Sequence, residues 1–128
     1  MTHGYIEGDL VKIKTEPNNL TPNEVVYKFV DYVSIDNVLI RTINGIDRLV
    51  GKDLIIPITL TPSILEKNGW EHKDYVYFKE YPHRKLVIIE ENAYIINEGC
   101  SMFLSQVMVV SQLQHLLFGL GLNSEMEV

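Results

Sequence analysis

The sequence predicts an α+β chain: a small β-rich half over residues 1–58, then a half over 59–128 with a short hinge helix, a β-meander and a closing helix. Three observations predict it. The first half is a series of short β-branched and aromatic runs broken by turn formers. Residues 59–70 spell a helix with both ends marked. Residues 109–120 repeat leucine and valine at helical spacing.

The elements follow in order. Gly8-Asp9 leads into a strand at Leu10–Lys14, ended by Pro17-Asn18-Asn19. Residues 25–33 form the next strand, with Val25, Tyr27, Phe29 and Val33 predicted on one apolar face. Val38–Ile43 and Ile46–Val50 read as a hairpin around Asn44-Gly45, a two-residue turn in which both residues tolerate positive φ. Leu54–Ile58 is short or at an edge, because Pro57 removes a ladder donor. Five such strands in so short a stretch predict a strongly bent sheet of SH3-like kind.

The hinge is the most explicit local signal. Thr61 can accept from a free first-turn N–H, and Pro62 sits where a missing N–H costs nothing. Leu60 and Leu65 can close a staple, Gly69 supplies the left-handed stop, and Trp70 can fold back onto Leu65. Beyond it, Tyr75–Glu80, Lys85–Glu90, Ala93–Ile96 and Met102–Leu104 read as a meander over 73–105, with His72 in the loop before it. In the last helix Val110, Leu113, Leu117 and Leu120 make the apolar stripe, predicted to rest on the second sheet. Ser111, Gln112, Gln114, His115 and Gly119 fall on its outer side, Gly121 stops it, and the acidic tail 123–128 is expected to be loose.

Composition bounds the function. At 128 residues the chain can bury a core without metal or disulfide. Its net charge of −6 disfavours non-specific contact with phosphate backbones. A single cysteine, Cys100, excludes an internal disulfide, suits a reducing cytoplasm and is expected to be a small buried or turn residue. No signal-peptide pattern and no apolar run of about 20 residues is present, so neither secretion nor a membrane span is expected.

Two segments carry a resemblance. Residues 56–70 (Ile-Pro-Ile-Thr-Leu-Thr-Pro-Ser-Ile-Leu-Glu-Lys-Asn-Gly-Trp) are similar to an I-P-L-T-x-E-x-L-x-K-x-G-F hinge, and residues 110–121 to a V-H-x-L-Q-x-L-x-x-x-L-x-G helix. Both, in this order, resemble a family of small proteins common in Bacteroides-type genomes, their prophages and their phages. The resemblance implies a shared fold and a phage or mobile-element context, and no activity. The chain departs from that pattern at Ser111, where the family often has histidine, so a paired-histidine helix is not implied.

Candidate sites are few. Gln112, Gln114 and His115 offer an uncharged polar strip that suits a protein partner or a short peptide; its lack of Lys and Glu predicts partial burial, in a homodimer or against the strand layer. Tyr75, Tyr77, Lys79 and Arg84 form a basic-aromatic strand face of the kind that stacks single-stranded nucleic acid, diluted by Glu71, Asp74 and Glu80. His72 and His83 lack metal-ligand spacing and read as loop and turn residues. The carboxyl pairs Glu90-Glu91 and Glu24 with Asp31 lack the paired geometry of acid–base catalysis, and no nucleophile or phosphate-loop motif occurs. The expectation is therefore a non-enzymatic interaction module without catalytic residues, cofactor or metal. Nucleic-acid binding through the basic-aromatic face is the alternative.

Overall fold

The computed structural model describes residues 4–14 and 26–128. His3, Glu24, Val25 and the Pro17-Asn18-Asn19 turn lie outside the described residues. The fold is α+β, with two antiparallel sheets of five strands each and few helices. The chain divides into two compact units, Met1–Ile58 and Thr59–Val128. Among the described residues no helix is long and apolar enough to cross a membrane.

In the first unit, β1 (Leu10–Ile13), β2 (Tyr27–Tyr32), β3 (Asn37–Thr42), β4 (Asp47–Gly51) and β5 (Ile55–Pro57) pair in the order β4-β3-β2-β1-β5. The sheet is open, with β4 and β5 as edges, so the bent sheet does not close into a barrel. A 3-10 turn, Lys52–Leu54, joins these edge strands, and Pro57 sits on an edge where no ladder donor is required. Val11, Tyr27, Phe29, Val38, Ile40, Val50 and Ile55 form the core. Tyr5 and Tyr32 flank Phe29, with ring centroids 5.6 and 4.9 Å away.

Two local expectations change here. A bulge between Phe29 and Asp31 shifts the β2–β3 register. The extra residue, Val30, reverses the alternation, so Val33 leaves the predicted apolar face and is 56% exposed. The β3–β4 connection is not a two-residue turn with positive φ at both positions. Only Gly45 is left-handed (φ 88°), Gly45 N–H donates to Thr42 C=O, and Ile43-Asn44-Gly45 makes a three-residue loop.

In the second unit, helix α1 (Pro62–Lys67) begins as its sequence dictates: Thr61 Oγ1 accepts from Ile64 N–H at 3.2 Å. It ends in a Schellman turn, with Gly69 N–H donating to Glu66 C=O and Trp70 N–H to Leu65 C=O. The sheet that follows is a pure meander, β10-β9-β8-β7-β6, formed by β6 (Glu71–Lys73), β7 (Val76–Tyr81), β8 (Arg84–Ile89), β9 (Asn92–Asn97) and β10 (Cys100–Gln106). Glu-His-Lys has no apolar member to mark a strand, and its pairing with β7 makes it one, so His72 lies on β6 rather than in the expected loop. Strand β10 extends well past Met102–Leu104, and Cys100 opens it as an exposed residue rather than a buried one.

Helix α2 (Val110–Gly119) lays Leu113 and Leu117 on Leu86, Ile88, Ala93 and Ile95 of the sheet, together with Leu65 and Trp70. The stripe therefore rests on the second sheet as expected. The outer side of α2 does not: Ser111 and Gln114 are buried, and Gln114 Nε2 donates to Ser124 C=O. The tail is not loose either. Leu122 and Met126 pack against the core. Asn68 Nδ2 donates to Glu127 C=O at 2.7 Å while its Oδ1 accepts from Glu127 N–H at 2.8 Å. A side-chain amide thus holds the tail as a neighbouring strand would.

Thr61→Ala removes the α1 cap and is expected to lower stability by about 1 kcal/mol in urea melts. Asn68→Ala leaves the backbone groups of Glu127 without their partner. The expected outcome is faster hydrogen exchange at the Glu127 amide than in the parent chain.

Candidate functional site

The register of the second sheet sorts its side chains into two faces. Tyr77, Leu86, Ile88, Ala93 and Ile95 point at the helices and the core. Alternation then puts three cross-strand rows on the other face. The first runs Glu71, Phe78, Val87, Tyr94, Phe103; the second Lys73, Val76, Ile89, Asn92, Gln106; the third Glu80, Lys85, Ile96, Ser101. Phe78, Val87, Tyr94 and Phe103 thus make an apolar ridge across four strands, widened by Val76, Ile89 and Ile96.

None of these seven side chains belongs to the two core clusters, although Val87 is itself buried and Val76, Phe78, Ile89, Tyr94 and Ile96 are half-buried; both helices of the second unit pack on the opposite face. The ridge is held by its own contacts. Tyr94 and Phe103 meet edge to face at 5.6 Å, and Lys85 Nζ stands 5.4 Å from the centre of the Phe78 ring. Phe103 remains 53% exposed. Glu80 lies directly opposite Lys85, and Glu71 and Lys73 share the margin, so the charges on this face cancel. The ridge runs out to β10, whose sequence CSMFLSQ carries no charge at all. Edge strands are usually guarded by charge, shortness or proline, as β6 is by its three charged or titratable residues. β10 has only a bulge, between Phe103 and Ser105.

The residues singled out from sequence are drawn elsewhere. Gln112 is exposed, and its Oε1 accepts from Met108 and Val109 N–H at 2.7 and 3.3 Å, so it caps α2. Gln114 is buried and His115 half-buried, so the three do not form one exposed strip. Tyr75 sits 68% exposed in the β6–β7 turn. Tyr77 packs against the core, with the His72 ring tilted against it at 5.2 Å. Lys79 Nζ donates to Asn68 C=O at 2.8 Å, and Arg84 Nη2 donates to Leu120 C=O at 3.1 Å. The basic-aromatic group therefore faces the core side of the sheet, and both cations are occupied in joining elements of the fold. His72 lies on strand β6 and not in a loop; it stands 3.7 Å from Glu66. Among the described residues no group of three or more His, Cys, Asp or Glu is placed to hold a metal ion.

The outer ridge carries no polar or charged mark by which its residue types would single it out. The signal was present in the alternation of Val76-Tyr77-Phe78 and Val87-Ile88-Ile89, where apolar side chains occupy both faces of the strands. No family model matches this chain, and no curated protein and no solved structure matches it.

Two measurements follow from the hairpins around this sheet. Glu90 and Glu91 both hold positive φ (50° and 69°) in the β8–β9 turn, a conformation that costs side-chain-bearing residues about 1 kcal/mol each. Replacing the pair by Asn-Gly is expected to raise stability by about 1 kcal/mol in denaturant melts. Burial pushes the Tyr81 hydroxyl above its ordinary range, with Arg84 pulling the other way. The folded chain therefore keeps this proton to higher pH than the unfolded one. Its contribution is complete below the unfolded value near pH 10 and is lost as pH rises through the folded value. Urea melts across that window, followed with tyrosinate absorbance, are expected to show stability falling on the alkaline side.

Proposed function

We propose that this chain is a non-enzymatic interaction module whose contact surface is the outer face of the second sheet, and that a second copy of the chain is its first partner. The observation that carries the reading is the Phe78-Val87-Tyr94-Phe103 ridge, an aligned apolar row that neither core of the chain uses. Charge supports a homotypic contact. Although the chain as a whole is acidic, this face is balanced, so two copies can meet across it without opposing a block of like charge.

Area sets the strength. Five strands at about 4.8 Å spacing and six residues of rise give a face of roughly 24 by 20 Å. That is below the ~800 Å² per partner of a standard stable interface, so the association is reversible. The order β4-β3-β2-β1-β5, with its 3-10 turn between the edge strands, supports the SH3-like reading of the first unit, and such sheets often serve binding. The hinge and helix motifs support a phage or mobile-element origin. The lone, exposed Cys100 suits a reducing cytoplasm.

Sedimentation velocity across the micromolar range tests the reading. The parent chain is expected to show a concentration-dependent dimer, and Phe78→Glu and Tyr94→Glu to sediment as monomers with unchanged circular dichroism. A parent chain that stays monomeric throughout, or folded variants that still dimerise, would overturn it.

A further inference from the structure

The opposite side of the second sheet carries a different feature, at the end where α1 begins. A groove of about 220 Å³ opens there. Its floor is apolar and buried, made by Leu65, Ile88 and Val107, with half-buried Tyr77 beside them. Pro62 and Tyr75 rise as exposed walls. Glu90 and Glu91, both exposed, complete the lining, and no lysine, arginine or histidine contributes to it. Neither glutamate has an ion-pair partner among the described residues.

These observations constrain an occupant by size and by charge. The volume is below the roughly 300 Å³ at which drug-sized ligands begin, and it suits a single side chain with its flanking backbone. The apolar floor selects an aliphatic or aromatic side chain. The uncompensated pair of carboxyl-bearing residues on the lining favours a cation next to it, and the Tyr75 ring adds a face on which a guanidinium or ammonium can rest. Pro62 opens α1 at its first helical position, and Tyr75 follows Asp74, which holds φ at 59° in the β6–β7 turn.

We propose that this groove binds an extended polypeptide segment in which an apolar side chain is followed by lysine or arginine. The apolar side chain enters over Leu65 and Val107, and the cation sits against Glu90 and Glu91. The site lies on the core side of the sheet, so it is independent of self-association through the outer face.

The test uses the full chain labelled with nitrogen-15 and two blocked hexapeptides, Ac-Ala-Ala-Leu-Lys-Ala-Ala-amide and its counterpart with glutamate in place of lysine. Saturable amide shifts at Leu65, Tyr77, Ile88 and Val107 are expected for the lysine peptide, weakening as salt is raised. The Glu90→Gln/Glu91→Gln double variant keeps the turn and is expected to bind this peptide about fivefold more weakly. Tyr75→Ala, at an exposed position, is expected to weaken it as well. Equal affinity for both peptides, or shifts that spare the groove, would overturn the proposal. So would n-butylammonium reproducing the full shift pattern at the same affinity, since a polypeptide would then not be required.

Discussion

The second unit depends on the turn that closes α1. Once Gly69 takes its left-handed conformation, Trp70 N–H reaches Leu65 C=O, and the two side chains enter the same core. That single closure sets where β6 starts, since Glu71 follows Trp70 directly. It also presents Asn68, whose carbonyl accepts from Lys79 on β7 and whose amide holds Glu127. A short helix that would be marginal alone is thereby tied to a strand, to the tail and to the core.

The same closure explains why the two faces of the sheet differ. The helices, the tail and the hydrogen-bonded cations Lys79 and Arg84 all lie on one side. Neither helix of this unit packs on the other side. A meander whose strands carry apolar residues on both faces must cover the second face by contact with something, or leave it half-buried by its own neighbours. In this chain Tyr94 and Phe103 meet edge to face, and Val87, between Phe78 and Tyr94 in the row, is buried at 6% exposure.

What was legible in the sequence was what is decided locally. Thr61, Pro62, Gly69 and Trp70 act within a few residues of one another, so their spacing alone gives the helix and its ends. The leucine stripe of α2 repeats at 3.6 residues, and its resting place on the sheet followed. Non-local pairing was not legible. The Val30 bulge depends on β3, the strand character of Glu71–Lys73 on β7, and the capture of the tail on an asparagine far along the chain. The uncharged face of α2 signalled partial burial, and Ser111 and Gln114 are buried, but the partners were not legible: Gln112 satisfies the N–H groups ahead of the helix, and Gln114 faces a tail that sequence spacing cannot bring back. The lysine and arginine of the basic-aromatic group read as free because their acceptors, two main-chain carbonyls, leave no mark in the sequence.

The connectivity of the second sheet has a kinetic consequence. Each strand from β6 to β10 pairs with the strand next to it in the chain, across turns of two residues. No pairing in this sheet has to wait for a distant segment to arrive, so the entropy of closing long loops is absent from its assembly. Such an order of contacts allows the sheet to zip from any one hairpin outward, and places this unit among the faster-folding β-rich architectures.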